Sequence, residues 1–126
     1  MTLGEAVARF DELKPNTFSY AVKTAWLAEV EGMLYDEILL THEGVGETFP
    51  GFNEETPADT PLAAGAPYDS LYLWYLALSA DRANNDTQRY SNSAASFAAA
   101  YQSYAAWYNR THAPLDRCQR FKFIRR

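Results

Sequence analysis

The residues of this chain that could carry out chemistry are two histidines, one cysteine and a set of carboxylates. His42 and His112 are its only imidazoles, and Cys118 is its only thiol. A di-metal carboxylate bundle would need Glu-x-x-His pairs, which do not occur, and Cys118 does not stand at zinc-ligand spacing from either histidine. Phosphate-binding glycine loops and nucleophile motifs are missing as well. The sequence therefore predicts no catalytic residue, no metal site and no cofactor.

The carboxylates of the second predicted helix are the remaining candidates for acid/base catalysis. Glu29, Glu31, Asp36 and Glu37 lie close together along it. Such residues more often form the solvated face of a helix than a general acid/base pair. A histidine at the end of that helix, His42, is explained by its favourable position at the negative end of the helix dipole. We therefore expect a binding or structural protein and not an enzyme.

Hydrophobic periodicity predicts an all-α fold, a small bundle of about four helices near residues 3–13, 19–41, 69–84 and 87–109. Thr2 and Glu5 form a capping-box pattern at the first helix start. The polar run 84–87 separates the last two helices, although one kinked helix over 69–109 is an alternative. Residues 1–114 are expected to form one helical domain.

Two apolar stripes predict which helix faces are buried. On the second helix the predicted face comprises Val22, Trp26, Val30, Met33, Leu34 and Ile38. On the fourth helix an aromatic stripe recurs at steps of four and three residues, at Tyr90, Ala94, Phe97, Tyr101, Tyr104 and Tyr108. The stripe fits a bundle core, or in part a subunit interface. We expect Trp26, Phe97 and Tyr101 to be buried, so that truncation to alanine costs about 3–5 kcal/mol.

Two segments fall outside the helical pattern, and their charges differ in sign. Residues 43–66 form a long loop rich in glycine and proline, with five acidic residues and no basic one. We expect this acidic loop to be mobile and to become ordered against a neighbour, with Phe49 and Phe52 pinning it to the body or to that neighbour. Residues 1–114 carry a net charge of -9, whereas residues 115–126 carry +4.

The basic tail, residues 115–126, has no helical apolar face and predicts an extended segment that docks on another protein. Alternation along residues 121–125 suits addition of a strand to an exposed sheet edge. The predicted partner-binding residues are Arg117, Arg120, Phe121, Lys122, Phe123, Ile124 and Arg125. A disordered chain end without a binding role is the alternative.

Several short stretches together resemble small neck proteins of tailed phages and prophages of Gram-positive bacteria. They are residues 11–16 (DELKPN), 23–32 (KTAWLAEVEG), 67–72 (PYDSLY), 89–92 (RYSN) and 108–114 (YNRTHAP). The resemblance spans most of residues 2–114 and leaves out the acidic loop and the basic tail. Such proteins are head–tail connectors, also called adaptors or head-completion proteins.

The resemblance implies a helical bundle that forms a ring, dodecameric in the virion, below the portal protein and above a tail-side neck protein. The portal is then the protein on which the basic tail is expected to dock. It implies no catalytic residues, no membrane and no specific DNA binding, with assembly in the host cytoplasm and final location at the head–tail interface of the virion. An acidic ring lumen would repel DNA phosphates and let the genome slide through. Two other classes stay open: a stand-alone helical interaction or regulatory module, and a nucleic-acid binder that acts through the basic tail.

Overall fold

The described part of the chain forms four α-helices, with one short 3-10 turn after the second. The computed structural model describes residues 1–43 and 47–114. The helices are α1 (Leu3–Leu13), α2 (Tyr20–Glu37), α3 (Ser70–Ala83) and α4 (Thr87–Thr111), and the 3-10 turn is Leu39–Thr41. No strand occurs in these described ranges, where the only β-type pairings are isolated bridges. The predicted all-α bundle of four helices is confirmed.

The helix ends follow local signals that the sequence shows. Thr2 and Glu5 make the reciprocal capping box of α1, and the Ser19 side chain accepts a hydrogen bond from the Val22 amide at the start of α2. Between α3 and α4, Asn85 lies in the left-handed region at φ 56°. An asparagine tolerates that conformation at a helix C-terminus, so two helices form and not one kinked helix.

α3 and α4 form an antiparallel hairpin, on which α1 and α2 pack. Tyr75 of α3 packs on Phe97 of α4, and Tyr68, just before α3, packs on Tyr104, further along α4. The two helices therefore run in opposite directions. α1 and α2 both contact α3. The largest fully buried apolar side chains come from all four helices: Leu3, Phe10, Leu27, Val30, Leu34, Leu71, Tyr72, Leu76 and Tyr104.

The buried face of α2 differs from the predicted one. Val30, Leu34 and Ile38 are buried as predicted, but Val22 is 39% exposed, and Trp26 and Met33 are only partly buried. The inward face is completed by Leu27 together with the polar residues Lys23, Thr24 and Glu31. The prediction relied on apolar residues alone, and it misplaced the buried face of α2 because three of the inward positions are polar.

Phe97 and Tyr101 are also only partly buried, which corrects the expectation that they lie in the core. Phe97 packs on Tyr75 of α3, and the Tyr101 hydroxyl donates to Glu37 of α2 at 2.5 Å. The more C-terminal part of the stripe, Tyr104 and Tyr108, is buried. Truncation at Phe97 or Tyr101 therefore creates a smaller cavity than a fully buried aromatic residue would leave.

The second half of the acidic loop is attached to the body by hydrogen bonds at the start of α1. The amides of Leu3 and Gly4, at the start of α1, donate to the carbonyls of Thr60 and Ala58 at 2.9 and 2.8 Å. These are amides that a helix leaves without an internal partner, and the loop supplies the acceptors. Leu62 and Ala64 are buried in the core.

Candidate interaction surfaces

An apolar groove lies between the end of α1 and the outer side of α3. Its volume is about 510 Å³, and Phe10, Leu13, Leu73, Trp74 and Ala77 form most of its wall. Leu13 is 73% exposed and Trp74 is 41% exposed. Large apolar side chains that cluster around an open groove are typical of a protein–protein contact. We call this surface the Trp74 groove.

A buried ionic cluster lies beside the Trp74 groove and joins three helices. The Asp81 side chain of α3 is 2% exposed, and it forms an ion pair with Lys14, which directly follows α1. Ser93 of α4 donates its hydroxyl to Asp81 Oδ2 at 2.7 Å. Burial alone would raise the pKa of Asp81, but the hydrogen bonds from Lys14 and Ser93 outweigh it, so the pKa lies below its usual value. The cluster fixes the helices that shape the groove.

A second cavity lies between the start of α2 and the acidic loop. It measures about 260 Å³ and is lined by Tyr20, Thr24, Phe52 and Glu54, among others. Phe52 contacts Phe49 edge to face at 4.9 Å between ring centroids, and Phe49 stacks on Tyr35 of α2 at 5.4 Å. The two phenylalanines therefore pin the loop to its own body, one of the two expected outcomes. We call this cavity the loop cavity.

The attachment of the loop continues at a buried carboxylate on α2. Glu31 is 2% exposed and accepts hydrogen bonds from the Tyr72 hydroxyl at 2.7 Å and from the Ala63 amide at 2.8 Å. The Tyr72 oxygen in turn accepts from the Ala64 amide at 2.9 Å. Burial raises the pKa of Glu31, because these two donors only partly replace its hydration. No basic side chain pairs with it among the described residues.

The two histidines meet at one end of the bundle, which their separation in sequence does not show. The His42 ring lies edge to face on Tyr108 at 4.8 Å, and the His112 ring stacks on the same tyrosine at 3.7 Å. His42 Nδ1 lies 2.7 Å from the Ile38 carbonyl and donates to it, since a carbonyl only accepts. His42 is buried and pairs with Pro114 through an isolated bridge. The arrangement packs aromatic rings at the helix ends.

No group of three or more potential metal ligands occurs in residues 1–43 and 47–114. Within the same part of the chain, no helix is long and apolar enough to cross a membrane. The predicted partner-binding residues of the basic tail (Arg117, Arg120, Phe121, Lys122, Phe123, Ile124 and Arg125) lie outside the described residues, as does Cys118.

Sequence reasoning did not identify the Trp74 groove, because Leu13 and Trp74 lie far apart in the chain and each reads as an ordinary apolar position. The exposure of Trp74 on a helix that is otherwise mostly buried is visible only in three dimensions. Comparison with known proteins adds no identification: no family model, no curated protein and no solved structure matches this chain.

Proposed function

We propose that this protein is a structural virion protein, a head–tail connector whose copies form a ring below the portal as part of the DNA conduit. The observation that carries the proposal is the Trp74 groove on a confirmed four-helix bundle. A ring subunit needs a surface that a neighbouring copy covers, and a head-to-tail contact of this kind closes into a ring when its rotation permits. The groove offers that surface.

The charge distribution supports the same function. Residues 1–114 carry a net charge of -9. Several of the carboxylates lie exposed and without an ion pair in the part of the chain that the structure describes, such as Glu12, Glu54 and Asp59. A negative surface facing a DNA channel repels phosphate groups and opposes tight binding. The genome then passes without being held.

The test is ring assembly on the portal protein from the same genome. Full-length protein is mixed with purified portal, and the complexes are isolated by sedimentation and imaged by negative-stain electron microscopy. We expect rings with the wild-type chain and none with Leu13→Glu or Trp74→Glu, since each places a charge in a surface that the contact desolvates. Leu13 is 73% exposed in the free chain, so its substitution does not disturb the core.

A matched control carries the same charge on the exposed outer face of α4. Gln102→Glu is exposed and distant from the groove residues, so rings should form as with the wild type. Binding of the wild-type chain to a host protein in place of the portal would favour a stand-alone interaction module. Salt-sensitive DNA binding that disappears with residues 115–126 would favour a nucleic-acid binder.

A further inference from the structure

We propose that the loop cavity binds an arginine side chain from the basic tail of a neighbouring copy of this chain. The proposal rests on the proposed ring, because it assigns a partner within that assembly. It assigns the basic tail a binding site on a neighbouring copy in place of one on the portal. Its starting point is the size of the cavity, about 260 Å³, which lies below the roughly 300–1,000 Å³ usual for small-molecule pockets. A cavity of this size suits one long side chain.

The walls of the loop cavity match a cation with an aliphatic stem. Tyr20, which is 46% exposed, and Phe52 present aromatic rings, and Glu54 contributes a carboxylate. A guanidinium group held over an aromatic face is attracted by the ring quadrupole, and arginine occurs in this arrangement more often than lysine. The nearby Glu55 and Asp59 add negative charge, and none of the three carboxylates forms an ion pair in the described ranges.

One wall residue provides an independent indication of a ligand. Thr24 lines the loop cavity, is only 5% exposed, and its hydroxyl has no hydrogen-bond partner in the described part of the chain. Buried hydroxyl groups without a partner are uncommon in folded proteins. A donor on an inserted guanidinium would give this hydroxyl a partner, after a small opening of the wall.

The basic tail has the composition that this cavity would select. It carries four arginines and one lysine against one aspartate, with phenylalanines between them. The acidic loop has five acidic residues and no basic one, so the two segments of the same sequence are complementary in charge. Arg117 and Arg120 would supply the guanidinium, and Phe121 an aromatic contact beside Tyr20.

The geometry favours exchange between copies for the first two arginines. The tail leaves the body at Pro114, which pairs with His42 just beyond the end of α2. The loop cavity lies at the opposite end of α2, and a helix of that length measures about 27 Å. Arg117 and Arg120 stand three and six residues after Pro114, so they reach at most about 22 Å from it. They would reach their own cavity only as a fully extended chain laid along α2, so entry into the cavity of an adjacent copy is favoured.

The experiment measures binding of a fluorescein-labelled peptide of residues 115–126 to the full-length chain by fluorescence anisotropy. We expect saturable binding that weakens at least threefold with Glu54→Gln and falls further as salt is raised. The matched control Glu12→Gln removes the same charge from an exposed site on α1 and should change the affinity less than twofold. A peptide with all five basic residues replaced by glutamine should not bind.

Sedimentation of the full-length chain over a range of concentrations tests the exchange between copies. We expect association that increases with concentration and is reduced by Glu54→Gln. Equal weakening of peptide binding by Glu54→Gln and Glu12→Gln would show unspecific attraction and overturn the proposal. A chain that is monomeric throughout would overturn it as well. Neither measurement contains the portal, so a failure of the connector function would be seen separately in the ring-assembly assay.

Discussion

Replacement of Tyr72 by phenylalanine should destabilise the fold far more than the same replacement at Tyr75, one turn along α3. Each hydroxyl donates to a carboxylate of α2: Tyr72 to Glu31 at 2.7 Å, and Tyr75 to Glu29 at 2.8 Å. The two acceptors differ in their surroundings. Glu31 is 2% exposed, whereas Glu29 is exposed and can be hydrated when its tyrosine partner is lost.

The magnitude follows from the groups that each substitution leaves without a partner. Tyr72→Phe removes one of two donors to the buried Glu31 carboxylate, and it also removes the acceptor of the Ala64 amide at 2.9 Å. A buried polar group without a partner costs about 1–3 kcal/mol, and more when it is charged. Since both groups are affected, we expect Tyr72→Phe to lower the free energy of unfolding by about 2–5 kcal/mol. Tyr75→Phe should cost less than about 1 kcal/mol, as for an exposed charged pair.

The assay is urea unfolding of both variants at pH 7, followed by circular dichroism and fitted with a common m-value. Thermal unfolding provides a second measure, in which each kcal/mol shifts the midpoint of a chain of this size by about 3–6 °C. Equal losses of stability in the two variants would refute the reasoning, because the hydrogen bonds have similar lengths and only the burial of the acceptor differs.

Three further predictions concern carboxylates and core packing. The pKa of Glu31 is raised, so its ionisation is penalised in the folded state. The stability of the wild type relative to Glu31→Gln should therefore fall as the pH rises above about 4.5, and urea unfolding between pH 4 and 8 measures this fall. The pKa of Asp81 is lowered from 3.8, so the advantage of the wild type over Asp81→Asn, about 1.5–3 kcal/mol at pH 7, should diminish below pH 3.8. Urea unfolding at pH 7 and at pH values below 3.8 measures this loss. Leu27→Ala, at a fully buried site, should lower the free energy of unfolding by about 2–5 kcal/mol. Trp26→Ala, at a partly buried site, should lower it by less, although it removes more atoms. Thermal melting compares the two variants, and the reverse order would contradict the assigned inward face of α2.

The helices could be predicted closely because their limits depend on local signals. The capping box at Thr2, the cap at Ser19 and the turn at Asn85 each act within a few residues, so they are visible in the sequence. The rotation of α2 could not be predicted in the same way. Its inward face contains Lys23 and Glu31, which are satisfied by residues distant in sequence, Asp11 and Tyr72.

The candidate surfaces were predictable only in part, for the same reason. The acidic composition and the pinning residues Phe49 and Phe52 were apparent from the sequence, but the direction in which they pack depends on contacts with α2. The Trp74 groove requires the end of α1 to lie beside α3, a long-range arrangement with no local signal. Charge and composition therefore identify what a surface carries, while its position depends on tertiary packing.

Three tyrosines are held by carboxylates of α2, and this bears on which surface is free for the proposed neighbouring copy. Glu29, Glu31 and Glu37 each accept a hydrogen bond from a tyrosine hydroxyl of α3 or α4, at 2.5–2.8 Å. Phenylalanine could fill the same space but could not bind these carboxylates. On the stripe of α4, Tyr101 is held in this way and Tyr104 and Tyr108 are buried, so the stripe is a poor choice for the proposed subunit interface. The Trp74 groove, whose large apolar residues remain exposed, is the better one.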